Sequence, residues 1–317
     1  MKNEAAISSG APALLAAIGH TPLVEIPLVR EVASGTRLFA KLESVNPGGS
    51  IKDRPVARML TRAIAAGRFA GGRRLLDSSS GNAGISYAML GAALGVPVTL
   101  VVPGNASAER LQRIRSHGAE LILTDPVEGY DFAIRHTQRL AAEQPDRYWY
   151  CDQYGNADNW QVHYEETASE MLEQLASYTG AAPDALVAGV GTGGTLTGVA
   201  RRLRERGTKL HVAAVIPETF PGIEGLKPLG HPGDIVPALL DQSLIDERIG
   251  VTLDEALAMS RRLALHGLFV GPSSGAFVHG AIRLAASGRY RSIVTVLSDT
   301  GERYVSTGMW KPGDVQG

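Results

Sequence analysis

The sequence predicts an α/β protein made of two open, mostly parallel α/β lobes, and three observations carry that prediction. Apolar runs of strand length alternate with stretches of helical periodicity from about residue 37 onward. The runs are apolar throughout rather than at every second position, as in strands covered by helices on both faces. Their number exceeds what one five-stranded sheet accommodates, so ligand is expected between two lobes, near strand C-termini.

The first strand is RLFAKLE (37–43), and NPGGSIKDR (46–54) follows it. IKDRPVARMLTRAIAAG (51–67) has helical spacing, then RRLLDSS (73–79) returns to a strand. The helix NAGISYAMLGAALG (82–95), the strand PVTLVVP (97–103), the helix SAERLQRIRSHG (107–118) and the strand AELILTD (119–125) continue the rhythm. YWYCDQY (148–154) resumes it, followed by the helical NWQVHYEETASEMLEQLASY (159–178). ALVAGV (185–190), TLTGVARRLRER (195–206) and LHVAAVIPE (210–218) repeat the strand–helix–strand unit. Thr252 and Glu255 form a capping box that opens TLDEALAMSRRLALHG (252–267). The helix GAFVHGAIRLAASG (275–288) and the strand SIVTVLSD (292–299) close the series. No repeat or low-complexity linker interrupts it, and the domain boundary is set near residue 150.

Bulk properties exclude several functions. With 20% charged residues, 44% hydrophobic residues and a net charge of −1, the 317-residue chain resembles an ordinary globular enzyme. Nothing in that balance marks a partner of nucleic acid or of an anionic membrane. No apolar run reaches the ~20 residues of a membrane span, and the N-terminus lacks the pattern of a signal peptide. The single cysteine, Cys151, precludes an internal disulfide, fits a reducing cytoplasm and reads as a small buried residue. The eight histidines show no HExxH spacing, so no metal site is expected.

Three segments at strand ends carry chemistry. DSSSGNAG (77–84) gathers Ser78, Ser79, Ser80 and Asn82 around the N–H groups of a helix start. That pattern suits a carboxylate, although a serine-rich N-cap reads the same way. AGVGTGGTLTG (188–198) sets Gly191, Thr192, Gly193, Gly194 and Thr195 after a strand, as a phosphate-binding nest requires. It also contains G-x-G-x-x-G at Gly189, Gly191 and Gly194, and the next strand ends in Glu218. A dinucleotide site and a structural turn therefore both stand on that stretch alone. NPGGSIKDR supplies the third feature, Lys52 opening a helix. The positive end of a helix disfavours an ammonium, lowers the amine pKa and favours imine formation. An amine, a phosphate cup and an anion-binding loop together fit pyridoxal phosphate, whereas Lys52 alone reads as a solvated surface residue.

On these motifs the sequence resembles the fold-type II (tryptophan synthase β-like) pyridoxal-phosphate enzymes. Within them it is similar to the cysteine synthase / cystathionine β-synthase family, with B-type and O-phosphoserine-using cysteine synthases the nearest pattern. The likeness runs from HTPLVEI (20–26) to SDTGERYVSTG (298–308). It implies that Lys52 forms the internal aldimine and that Asn82 hydrogen-bonds the cofactor's 3′-oxygen. Ser79, Ser80, Gly81 and Ala83, with the loop N–H groups, are implied to hold the substrate carboxylate, and Gln153 to line the same site. GTGGT (191–195) corresponds to the phosphate loop, and Ser273 in GPSSGA (271–276) to the partner of the ring nitrogen. A neutral serine there leaves the ring a weaker electron sink, which favours β-elimination over transamination. The family further implies a smaller, mobile N-terminal domain at 38–150, a larger one at 1–37 and 151–317, and a homodimer.

This sequence departs from the pattern in places. Ala83 replaces a threonine, Asn156-Ala-Asp-Asn159 stands for NPxN, and Thr167-Ala-Ser-Glu170 stands for TGPE. Lys227 falls about where phosphoserine-using enzymes place an arginine, so a leaving phosphate and plain solvent are alternative partners for it. The expected reaction is L-cysteine synthesis by β-replacement on O-acetylserine or O-phosphoserine through an α-aminoacrylate. Sulfide, thiosulfate or a thiocarboxylated sulfur-carrier protein would supply the sulfur. A cystathionine β-synthase or a diaminopropionate-type synthase is the alternative within the family. An NAD-dependent oxidoreductase and a non-catalytic scaffold are the alternatives outside it.

Overall fold

The computed structural model describes residues 9–79, 81–206, 209–229 and 236–310. In chain order, α1 (Ala11–Ala16), β1 (Leu23–Glu25), β2 (Arg37–Leu42) and α2 (Asp53–Ala65) come first. β3 (Arg74–Ser78), α3 (Asn82–Leu94), β4 (Val98–Pro103), α4 (Ala108–Ser116) and β5 (Glu120–Thr124) follow. After α5 (Gly129–Glu143) and β6 (Tyr148–Tyr150), α6 (Asp158–Val162) runs through a π-turn at His163–Thr167 into α7 (Ala168–Thr179). β7 (Ala185–Gly189), α8 (Gly194–Glu205), β8 (His211–Pro217), β9 (Glu247–Val251), α9 (Leu253–Leu265), α10 (Pro272–Ala285) and β10 (Ser292–Leu297) complete the series. The α/β class and the parallel sheets agree with the sequence reading.

Two compact units divide the chain: Met1–Ile18 with Asn46–Asn159, and Gly19–Val45 with Trp160–Gly317. The first holds a four-stranded parallel sheet in the order β5-β4-β3-β6. Every residue of β4 is buried, which is why the run VTLVVP shows no alternation. α3 is apolar on nearly all sides and ends at Gly95 in the left-handed conformation. Its Tyr87 and Leu90 pack in one core with Leu75, Leu100, Val102 and Ile114. Full burial of an aliphatic side chain of this kind contributes about 2 kcal/mol. Cys151 follows β6 and is buried against Met59, its thiol 3.8 Å from the Met59 sulfur.

The second unit carries a six-stranded sheet in the order β1-β2-β10-β7-β8-β9, antiparallel only between β1 and β2. β2 pairs with β10 from Arg37↔Ser292 to Leu42↔Leu297. That pairing corrects the expected boundary at residue 38, because β2 is a member of the second sheet. Residues 151–159 stay with the first unit, where the Cys151 N–H donates to Leu76 O. Lys41 of β2 is buried and pairs with Glu170 of α7 at 2.6 Å, fastening that helix to its sheet.

In each sheet the chain order reverses once. β3, β4 and β5 progress in one direction, and β6 then returns to the other side of β3. β7, β8 and β9 do the same before β10 returns beside β7. Such reversals open a crevice at the strand C-termini, where α/β sheets bind ligands. The segments after β3 and β6, and after β7 and β10, are thereby the functional ends of the two units.

Candidate active site

Lys52 occupies the N-cap of α2, with no side-chain cap on that helix start. Its half-buried side chain stands where the helix N-terminus is most positive. The Ser50 hydroxyl accepts the Lys52 N–H at 3.3 Å, two residues on, rather than capping the helix. Asp53 braces the turn. Its carboxylate is buried and accepts the Gly48 N–H and the Ser86 hydroxyl. A methyl at Gly48 would lie 2.2 Å from Asp53 Oδ1, and Gly49 has φ +79°. The glycines of NPGGS are therefore required by the brace and the turn, a local reason distinct from close approach to a ligand.

The loop after β3 opens α3, whose N-cap Gly81 likewise has no side-chain cap. The Ser79 hydroxyl accepts the N–H groups of Gly81 at 3.1 Å and Gly84 at 2.7 Å. Asn82 starts α3 half-buried, and Ala83 is buried. Ser80 lies outside the described residues. Beneath the loop, a methyl at Gly81 would lie 2.7 Å from Nε of the buried Arg110, so a cation underlies this helix start.

Gln153 is tied to the same loop. Its side-chain amide donates to Ser78 O at 2.6 Å, and its backbone N–H donates to Asp77 Oδ2 at 3.1 Å. The Asn159 side chain donates to Gln153 O at 2.7 Å, and the Asn156 side chain to Cys151 O at 3.1 Å. Both asparagines of Asn156-Ala-Asp-Asn159 thus hold the turn, and the departure from NPxN falls between them. Asp77, unnoticed in the sequence, also accepts the Tyr87 hydroxyl at 2.7 Å and the Ser78 N–H at 2.8 Å.

Burial pushes the Asp77 carboxyl up to about 7 from its ordinary 3.8, against the opposing pull of those hydrogen bonds. Asp152 is a further charged neighbour that raises it. The neighbouring hydroxyls and thiol of Tyr87, Tyr130, Tyr150, Tyr154 and Cys151 are all raised by burial, so they stay protonated near neutrality. A carboxyl with a raised folded pKa contributes stability that is fully present below its unfolded pKa and lost as pH rises through 7. Stability relative to Asp77→Asn should fall between about pH 4 and 7, by up to about 1.4 kcal/mol per pH unit. Urea unfolding of both proteins at pH 5, 6, 7 and 8 measures that slope, and a pH-independent difference would contradict it.

In the second unit, Gly191–Thr195 runs from the end of β7 into α8, whose N-cap Gly193 has φ +85° and no side-chain cap. Methyls at Gly191 and Gly193 would lie 2.5 Å from Gly225 O and 2.8 Å from the Leu240 backbone. The Lys227 N–H donates to Val190 O at 2.7 Å, which sets Lys227 half-buried beside this loop. Glu218, the acid a dinucleotide site would use on a ribose, accepts the Leu253 N–H at 2.9 Å and so serves the start of α9. Ser273 sits buried in the first turn of α10, and its hydroxyl bonds no other described residue.

A lysine at one helix start, and two helix starts after parallel strands whose N-cap glycines carry no side chain, suit an enzyme that pairs amine chemistry with an anionic cofactor. The sequence profile described as "Pyridoxal-phosphate dependent enzyme" matches residues 14–299, and the chain belongs to that family. The cofactor is pyridoxal 5′-phosphate. The chain is 41% identical over 309 residues to a cysteine synthase of Aquifex aeolicus, covering 95% of this chain and 93% of that one. It is 36% identical over 302 residues to cysteine synthase B of Pseudomonas aeruginosa, covering 95% and 98%. Among solved structures, an O-ureido-L-serine synthase superposes with a TM-score of 0.85 at 35% identity, covering 96% of each chain.

The residues present fit the cofactor. At the α8 start the N-cap Gly193 brings no side chain, the Gly194 N–H meets the Thr192 hydroxyl at 3.4 Å, and the Thr195 hydroxyl stands beside them, a set of donors that suits a phosphate dianion. Ser273 carries a buried neutral hydroxyl and Lys52 an amine at the start of α2, groups of the kind the cofactor's ring and aldehyde require. Among the described residues no His, Cys, Asp and Glu cluster is arranged to hold a metal ion, and no helix is long and apolar enough to cross a membrane.

Proposed function

We propose that the protein makes L-cysteine by pyridoxal-phosphate-dependent β-replacement on an O-activated serine. The observation that carries this reading is Lys52 at the uncapped start of α2, in a chain similar over nearly its whole length to cysteine synthases. Lys52 would bond the cofactor, Gly191–Thr195 and the α8 start would hold its phosphate, and Asn82 and Ser273 would serve its 3′-oxygen and ring nitrogen. When bound, the cofactor accepts the charge that develops at the substrate's α-carbon. The N–H groups at the α3 start, with Ser79 and the Arg110 charge behind them, hold the substrate carboxylate. Ser80 joins them in this reading. With the cofactor bound, Lys52 Nζ would take the substrate's α-proton, and the leaving group would depart from the β-carbon. Gln153 is held by its own bonds to Asp77 and Ser78, and limits the same pocket. Ala83 adds no hydroxyl there, so the carboxylate has one side-chain donor fewer than a threonine at that position would give.

Mixing the holoenzyme separately with O-acetylserine and O-phosphoserine, and following the visible absorption, identifies the first substrate. Turnover is then measured with sulfide, thiosulfate, homocysteine and amine nucleophiles. Inactivity with every sulfur donor would refute cysteine synthesis. Similarity to the O-ureido-L-serine synthase favours, as the second reading, a β-substituted alanine synthase with a different nucleophile. Lys227 bears on the leaving group. Lys227→Ala should raise KM for O-phosphoserine about tenfold and change that for O-acetylserine less than about twofold. Equal losses with both would assign Lys227 to the cofactor phosphate. We further propose a cytoplasmic homodimer, checked by sedimentation, and a carrier protein as one source of sulfur, checked by turnover with a thiocarboxylated carrier.

A further inference from the structure

His163 begins the π-turn between α6 and α7, where the Ala168 N–H reaches back five residues to His163 O. Interruptions of this kind recur at functional positions in helices. The imidazole is buried and takes part in two described hydroxyl contacts. Nδ1 lies 3.0 Å from Thr167 Oγ1, on the same turn, and Nε2 lies 3.2 Å from Thr195 Oγ1, in the phosphate loop. The turn is pressed onto α8, because a methyl at Gly198 would clash with Trp160 O and lie 2.8 Å from His163 Cβ.

A neutral imidazole donates from one nitrogen and accepts at the other. A phosphate dianion has only acceptors, so Thr195 serves it by directing its own proton there. For that, Thr195 Oγ1 must accept from His163 rather than donate to it. Nε2 then carries the ring proton, and Nδ1 accepts the Thr167 hydroxyl proton. The reverse arrangement would spend the Thr195 proton on the imidazole.

We propose that His163 is a positioning residue for the cofactor phosphate, through a directed series from Thr167 to His163 to Thr195 that leaves the Thr195 hydroxyl donating to that phosphate. This rests on the assignment of Gly191–Thr195 to the phosphate. Thr167 sets the tautomer, His163 transmits it, and neither touches the reacting atoms.

The test uses the reconstituted holoenzyme. Imidazole ¹⁵N shifts should show His163 protonated at Nε2. Thr167→Val removes one hydroxyl with little change of volume; it should shift the ³¹P resonance of bound pyridoxal phosphate and weaken its affinity about fivefold to tenfold. His163→Gln, which keeps a donor near the Nε2 position, should restore most of the affinity lost in His163→Leu. In a Thr195→Val background, Thr167→Val should change neither the ³¹P shift nor the affinity further. A proton on Nδ1, or equal effects of Thr167→Val with and without the Thr195 hydroxyl, would overturn the relay. Failure of the wild-type chain to take up pyridoxal phosphate would overturn the cofactor assignment itself, and this inference with it.

Discussion

Lys52→Ala is expected to lower kcat/KM for β-replacement about a thousandfold or more, while the protein keeps its fold. In the proposed mechanism one amine has two functions, the covalent bond to the cofactor and removal of the substrate's α-proton, so no neighbouring side chain compensates for both. The fold survives because the turn does not depend on the lysine side chain. Asp53 still accepts from Gly48 and Ser86, and Ser50 still accepts the backbone N–H of residue 52. Steady-state kinetics, the visible spectrum and a melting curve on the same preparation separate chemistry from folding. The variant should bind pyridoxal phosphate without the covalent bond, with an altered absorption band. Full activity would remove Lys52 from the mechanism.

Asp53→Ala should destabilise the protein by about 3 kcal/mol and also impair the reaction. The carboxylate is wholly buried at the first turn of α2, where the helix dipole favours it. Its removal leaves the Gly48 N–H and the Ser86 hydroxyl without the acceptor they share, and a cavity where Gly48 had been kept small. The turn carrying Lys52 then loses its brace. Urea midpoints measure the first effect and kcat the second, and Asp53→Asn, which preserves volume and one acceptor, should fall between. A midpoint unchanged by Asp53→Ala would show that the brace contributes nothing.

The alternation of strands and helices was legible because burial on both sheet faces leaves its mark on composition. β4 and α3 are apolar nearly throughout, and a sequence pattern registers that directly. α5 was missed, although Tyr130, Ala133, Ile134, Thr137 and Leu140 recur at helical spacing, because polar residues interrupt that face. β9 was missed because ERIGV is a short edge strand with exposed positions and a glycine. The domain boundary went astray for a different reason. β2 precedes the first unit in sequence, yet hydrogen-bonds to β10 near the other end of the chain.

The site divides in the same manner. Lys52, Asn82 and the glycine loop stand in contiguous motifs whose residue types state their chemistry. Asp77, Arg110 and His163 have neighbours that only the fold supplies, as when His163 meets Thr195 across two packed helices. Glu218 misled in the opposite sense. It has the residue type and spacing of a ribose-binding acid, and the structure commits it to the start of α9.

Cys151 has a consequence for an enzyme that works among thiols. Its sulfur is buried, and burial pushes the thiol well above its ordinary pKa, so it stays protonated. A thiol held in that form is a poor nucleophile toward disulfides and offers little to oxidants. The catalyst thereby avoids competing for, or being capped by, the sulfur compounds it handles. It makes a reactive thiol product while its own cysteine stays chemically silent.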